Sequence, residues 1–273
     1  MVAELVVIGG GKMGEALVAG MLAAGRTRPE DVVVVEASEA RRRELSSDGG
    51  LAARYPGLQV TSALPDQAKH ALVAVKPPDV EGVCRALNGK GTQRALSIAA
   101  GVTLAQLDQW CPPESAVVRA MPNMGALAQA GATAIAAGSR AKAADVEWAN
   151  GIMAAVGLVV EVPEHLLDAV TGVSGSGPAY LMLVAEAMIE GGVLMGLPRP
   201  VATSLVAQTM AGAGALLAAT GQSPEQLRAA VTSPGGTTAA ALRRLEAAGA
   251  RSAFIEAVAA SAERSRELGR EGH

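Results

Sequence analysis

The chain has 273 residues, half of them apolar and 18% charged, with a formal charge of −3 and a mean hydropathy of +0.28. This composition excludes a disordered polymer, and the length predicts one large domain or two ordinary ones with a core to bury. Aromatic residues make up 2% beside 32 glycines, so Ala, Val, Leu, Ile and Met must build that core through close helix packing and tight turns. No Lys/Arg block is flanked by aromatics and the balance is acidic, so no nucleic-acid partner is expected. Cys84 and Cys111 stand outside any C-x-x-C or Cys/His cluster, which predicts packing in a reducing cytosol and no metal site. Met1 leads directly into a strand-like run without the regions of a signal peptide, so the chain reads as cytoplasmic.

Residues 5–8 are a short strand-like segment, followed by Gly9-Gly10-Gly11-Lys12-Met13-Gly14 and by helical spacing through Leu17, Val18, Met21 and Leu22 up to Gly25. That is strand, glycine turn, helix. A second strand, Val32–Val35, ends at Glu36, and 39–51 reads as a helix with an Arg41-Arg42-Arg43 face. Strands are expected at 59–61, 71–75, 95–99 and 116–121, with late edge strands at Ile135 and 158–162 joined by a helix over 142–155. Alternation of this kind predicts an α/β fold, a Rossmann-like doubly wound parallel sheet.

After Pro163 every long segment has helical spacing: 165–171, 178–195, 200–219, 224–230, 237–248 and 252–268. Pro178, Pro200 and Pro224 suit first helical turns. The expected division is therefore 1–162 for a dinucleotide-binding domain and 163–273 for an all-helical domain. Two uncharged stretches, 120–139 and 201–224, reach the length of membrane spans. Pro122, Asn123 and Gln129 break the first. Thr203, Ser204, Gln208 and Thr209 mark the second as a helix of a soluble protein, buried and packed closely through Gly212 and Gly214. No membrane association is expected.

The pattern Gly9-x-Gly11-x-x-Gly14 opens a helix directly after a strand, the context that turns a weak motif into a dinucleotide site. Gly9 allows the tight turn, Gly11 the approach of a pyrophosphate, and Gly14 the contact of helix with strand; Gly10, Lys12 and Met13 complete the loop. Glu36 suits the hydroxyls of an adenosine ribose and repels a 2′-phosphate, favouring NADH. Ser38 and the arginine run favour NADPH, unless the arginines form a solvated face. The turns Ala74-Val75-Lys76-Pro77 and Ala99-Ala100 follow the fourth and fifth strands and should flank the nicotinamide. Lys76 is a proton donor, a ribose ligand or a turn cap. His165 and Asp168 form either an acid/base pair or a solvated pair, and His70 and His273 sit in no catalytic spacing.

In the helical part, Val173-Ser174-Gly175-Ser176-Gly177-Pro178 leads into one helix, and Ser233-Pro234-Gly235-Gly236-Thr237-Thr238 leads into another. The second run presents backbone amides and two hydroxyls at a helix start, a place for a carboxylate or, more simply, a structural cap. The last lysine is Lys142, so the helical part lacks the catalytic lysine of hydroxyacid dehydrogenases. A protonatable imine demands less: one hydrogen-bonding group at nitrogen and one anion site.

On these residues, with Arg119-Ala120-Met121-Pro122-Asn123, the run 168–180, Met195-Gly196-Leu197-Pro198, Leu242 and Leu245-Glu246, the chain resembles the pyrroline-5-carboxylate reductases nearly end to end. The resemblance implies reduction of 1-pyrroline-5-carboxylate to L-proline with NADPH, NADH being possible. It implies a substrate carboxylate held by Ser233, Gly235, Gly236, Thr237 and Thr238, with the Thr238 hydroxyl catalytic at the ring nitrogen. It also implies a homodimer with interlocked helical domains, or a ring of dimers, which fits the run through Met210, Gly212 and Gly214. Ala230 departs from an asparagine that some members place near the cofactor, and Ala37 from a basic residue beside the 2′-phosphate. Another imine or ketone reductase would have no reason for the Pro-Gly-Gly-Thr-Thr nest, and a non-catalytic relative would be free to lose Thr238.

Overall fold

Short apolar runs rich in valine and alanine become eight strands in the computed structural model, which describes residues 2–271. They are β1 (Val2–Ile8), β2 (Val32–Val35), β3 (Gln59–Thr61), β4 (Gln67–Val73), β5 (Arg94–Ser97), β6 (Ala116–Met121), β7 (Gly131–Ala137) and β8 (Gly157–Glu161). The readings on Met1 and His273 lie outside the described residues. The strands form one sheet in the order β3-β2-β1-β4-β5-β6-β7-β8. Pairs from β3 to β6 are parallel, β7 runs antiparallel to β6, and β8 is parallel to β7. All four valines of β2 are buried, as expected where helices cover both faces of a parallel sheet. Strand order reverses between β1 and β4, which opens a crevice at their carboxyl ends.

The crossovers supply α1 (Lys12–Ala23), α2 (Glu39–Ser46), α3 (Leu51–Arg54), α4 (Val80–Ala86), α5 (Leu104–Trp110) and α6 (Ala143–Met153), and α7 (Leu167–Val170) follows the last strand. One core cluster joins Leu5, Val7, Leu17, Met21, Ile152 and Met153. On the other side Val73, Cys84, Leu107 and Cys111 pack together, both cysteines free and buried. The helix expected over 39–51 is two, α2 and α3. Gly49 takes a φ of 85°, and a side chain at Gly50 would meet the Glu44 carbonyl at 2.4 Å, so the chain turns there. The fourth strand starts earlier than expected and stops at Val73, leaving Ala74, Val75 and Lys76 as turn. The apolar stretch 120–139 is the end of β6, a 3-10 turn (Met124–Ala128) and β7, rather than a helix.

His70 on β4 is 5% exposed, with its ring 5.1 Å from that of Trp148 and its Nδ1 without a hydrogen-bond partner among the described residues. Burial, reinforced by the nearby Arg94 charge, lowers its pKa to about 4, against a partial opposing pull from Glu4. The unfolded chain therefore takes up this proton below about pH 6.5, whereas the folded one resists it until about pH 4. Stability from this group is complete above the higher value and falls as pH drops toward the lower, by about 3 kcal/mol in all. Urea midpoints between pH 7 and 4.5 should fall, and His70→Phe should flatten that slope. An equally steep slope in the variant would refute the assignment.

Contacts divide the chain into two compact units. One runs from the N-terminus to Ser176 and takes in the residues from Ala260 onward; the other is Gly177–Ala259. The composition change at Pro163 falls inside the first. The second contains α8 (Gly177–Leu194), α9 (Arg199–Thr220), α10 (Pro224–Ala230), α11 (Thr237–Ala247) and the start of α12 (Ala250–Glu271). The end of α12 belongs to the sheet unit. There Ser265 donates to Asp168 Oδ1 at 2.7 Å, the Ser176 and Ser261 hydroxyls lie 2.8 Å apart, and Gly101 packs against 268–269.

Two expectations need correction. The glycine-rich lead-in at 173–178 is not a loop: the backbone stays helical through a π turn, Thr171–Gly175. Thr171 and Ser174 donate to the carbonyls of Leu167 and Val170, and a side chain at Gly175 would meet Met121 Cε at 2.7 Å. Nor is α9 buried within the chain. Only Ala202 and Val206 are covered, and a Cβ at Gly212 or Gly214 would meet nothing. Glu164–Leu194 and Arg199–Thr220 are long and apolar enough to cross a membrane by length and composition, and Leu181, Met182, Leu183 and Leu205 are more than half exposed. An apolar face in a sequence predicts burial without saying which chain supplies the cover.

Candidate dinucleotide site and carboxylate nest

The glycine loop leaves the carboxyl end of β1 and starts α1. Gly9 has a φ of 105°, and a side chain there would meet the Ala74 carbonyl at 2.4 Å; one at Gly14 would meet the Gly9 carbonyl at 2.1 Å. Gly11, the N-cap of α1, has nothing within 4 Å of where a Cβ would stand, and no side chain caps the helix. The loop is thus closed on its strand side and open at Gly11. It is a cradle that a dinucleotide diphosphate fits, with helix amides facing the anion. Met13 packs toward the core, and Lys12 stays exposed beside Glu44 at 3.6 Å.

Glu36 is held by the backbone rather than left free. Its Oε2 accepts from Gly10 N–H at 2.9 Å and its Oε1 from Ser38 N–H at 2.8 Å. Ser38 caps α2, its hydroxyl accepting from Arg41 N–H at 3.3 Å. The three arginines of the run meet different surroundings. Arg41 turns inward to the Gly10 carbonyl, Arg42 donates to the carbonyls of Glu36 and Ala37 at 2.8 and 2.6 Å, and only Arg43 stays outside, paired with Glu39. Nothing in the spacing of the three arginines separates these fates, because α2 is short and its inward face is set by the loop it covers.

Ala74 extends the ladder through its N–H to the Ile8 carbonyl at 2.8 Å. Val75 and exposed Lys76 follow, Lys76 capping a 3-10 turn that begins at Pro77. Ala99 and Ala100 lie beyond β5, with Ala99 N–H on the Ser97 hydroxyl at 3.3 Å. All the expected cofactor residues therefore share the carboxyl edge of the sheet around the β1/β4 reversal. Asn123 follows β6 and Pro122. Its Oδ1 accepts from Gly125 and Ala132 N–H, both at 3.1 Å, and its Nδ2 donates to the Ser174 carbonyl in the π turn at 3.0 Å. An Asn two residues before a Gly was the available sign of such a turn. Asp168 Oδ1 accepts from the Ser265 hydroxyl at 2.7 Å, which ties α7 to the end of α12.

In the helical unit the nest residues lie together. Pro234 and Gly235, with φ 70° at Gly235, fill the two middle positions of a turn that Gly236 N–H closes on the Ser233 carbonyl at 3.0 Å. Gly236 is the N-cap of α11, with no side-chain cap, and Thr237 and Thr238 are its first two residues. Thr232 is spent on the Arg228 carbonyl at 2.6 Å. The hydroxyls of Thr237 and Thr238 have no hydrogen-bond partner among the described residues, and Thr238 is half-buried. The capping role is thus Gly236's, and both hydroxyls remain available to a ligand.

Residues 164–268 match the family model for pyrroline-5-carboxylate reductase dimerisation, and residues 4–101 match that for NADP oxidoreductase, coenzyme F420-dependent. A pyrroline-5-carboxylate reductase from Synechocystis sp. is 45% identical over 98% of each chain. The chain belongs to the pyrroline-5-carboxylate reductase family. Among solved structures it is similar to the Coxiella burnetii pyrroline-5-carboxylate reductase (TM-score 0.86, 34% identity, 98% of this chain and 99% of that one). It is also similar to Plasmodium falciparum pyrroline carboxylate reductase with NADP bound (TM-score 0.83, 28% identity, 98% of each). The exposed apolar helices of the second unit lie in the segment that matches the dimerisation model.

Proposed function

We propose that this chain reduces 1-pyrroline-5-carboxylate to L-proline with a nicotinamide dinucleotide. The observation that carries this reading is the uncapped nest at Ser233–Thr238, with two free hydroxyls, in a member of this family. The nicotinamide supplies a hydride to the imine carbon, and the nitrogen takes a proton to become the amine of proline. The amides of Gly235 and Thr237, on either side of the Gly236 N–H that closes the turn, fit the substrate carboxylate, orienting the ring. Thr238 donates or relays a hydrogen bond at the nitrogen, where charge changes during the transfer. NADPH is the reductant we assign, with NADH as the alternative. The NADP-bound relative and the exposed Ser38 support the phosphorylated form, while the Glu36 carboxylate at the end of β2 supports the other.

Mixing the purified protein with pyrroline-5-carboxylate and either reduced nicotinamide should give L-proline, faster with NADPH. Absence of turnover with both, in folded protein, would end the proposal. The same reading makes the protein a cytoplasmic homodimer, or a ring of dimers, free of membrane and nucleic acid. Sedimentation should therefore return a multiple of 27.4 kDa. Full activity at the single-chain mass would contradict it.

A further inference from the structure

All three nitrogens of the Arg41 guanidinium hold acceptors of this chain. Nε donates to the Gly10 carbonyl at 2.7 Å, one terminal nitrogen meets Glu15 Oε2 at 2.5 Å and the other meets Glu44 Oε1 at 2.6 Å. Arg54 holds the second oxygen of Glu15 at 2.9 Å, and the Arg41 side chain is 14% exposed. A guanidinium fixed by two carboxylates is a rigid, directional donor. The peptide it grips is flanked by glycines on both sides, which lack the steric barriers that hold other peptides in one orientation.

We propose that Arg41 is a positioning residue for the cofactor diphosphate, fixing the Gly10 carbonyl so that the Gly11 N–H and the first turn of α1 face the anion. In a planar trans peptide the carbonyl and the following N–H point in opposite directions. Pinning the Gly10 oxygen toward α2 therefore aims the Gly11 N–H away from α2. Glu36 secures the preceding peptide through the Gly10 N–H at 2.9 Å, so the loop is held at both faces of Gly10. The open space at Gly11 lies on this fixed segment. Arg41 thereby acts on the diphosphate, common to both nicotinamides, and leaves the 2′-phosphate to other groups.

Direct titration of NADH, NADPH and ADP-ribose into the whole protein and into Arg41→Ala and Arg41→Lys tests this without relying on the proposed reductase activity. Arg41→Ala should weaken all three by a similar factor, roughly tenfold or more, the loss of one charge-assisted bond. Arg41→Lys, which keeps the charge but not the three-way geometry, should fall between. Loss confined to NADPH would make Arg41 a 2′-phosphate ligand and overturn the proposal. A lower melting point with unchanged dissociation constants would reduce it to a stability role and overturn it equally. If Arg41→Ala does not fold, Arg41→Lys decides: wild-type affinity for NADH and ADP-ribose in that variant refutes the idea.

Discussion

Thr238→Ala is expected to lower kcat/KM for the imine roughly 10- to 150-fold, the ~1.5 to 3 kcal/mol of one hydrogen bond to a group that changes charge. Because Gly236 is the N-cap and the Thr238 hydroxyl bonds nothing among the described residues, truncation should leave stability within about 0.5 kcal/mol of the parent. Thr237→Ala, one residue earlier and exposed, serves as the matched control and should be milder. Melting midpoints, NADPH dissociation constants and imine turnover on the two variants separate chemistry from helix propensity. Unimpaired kcat/KM in Thr238→Ala would remove the hydroxyl from the reaction.

The second large effect comes from the glycine loop, where two glycines should fail in different ways. A methyl at Gly14 would sit 2.1 Å from the Gly9 carbonyl, and Gly9 cannot retreat because the Ala74 backbone stands behind it. Gly14→Ala must push α1 off β1, at about 3 kcal/mol of stability, together with the loss of dinucleotide binding. Gly11 has a helix-compatible φ of −63° and open space around it, so Gly11→Ala should fold and melt like the parent. Its methyl would occupy the diphosphate approach and weaken both nicotinamides about tenfold. Normal binding by Gly11→Ala would mean that the open space serves no ligand.

The sequence was most legible where one local rule dominated. The β1 strand, glycine turn and α1 helix follow from spacing and from glycine's lack of a side chain, and the proline-led starts of α9 and α10 follow from fixed φ. It was least legible where a partner surface decided the outcome. The antiparallel direction of β7 cannot be read from its own residues, since alternation of elements fixes strand existence but not polarity. The inward turn of Arg41 depends on where Glu15 and Glu44 stand, residues on two different helices. The π turn hides because Thr171 and Ser174 back-bond to carbonyls in a run that reads as a break. For the nest, local pattern located the residues, and the resemblance supplied their roles.

The sheet unit is finished by residues synthesised after the helical segment. Once a ribosome has translated Gly157–Glu161, the sheet is complete in sequence, yet the groups that close over Asp168, Ser176 and Gly101 belong to Ser261, Ser265 and 268–269. Vectorial synthesis favours domains that close from their own amino-terminal residues. Here the nascent sheet must wait for the entire helical segment to emerge before its surface is sealed. A chain released at Ala259 would carry every strand and still present that surface unsealed.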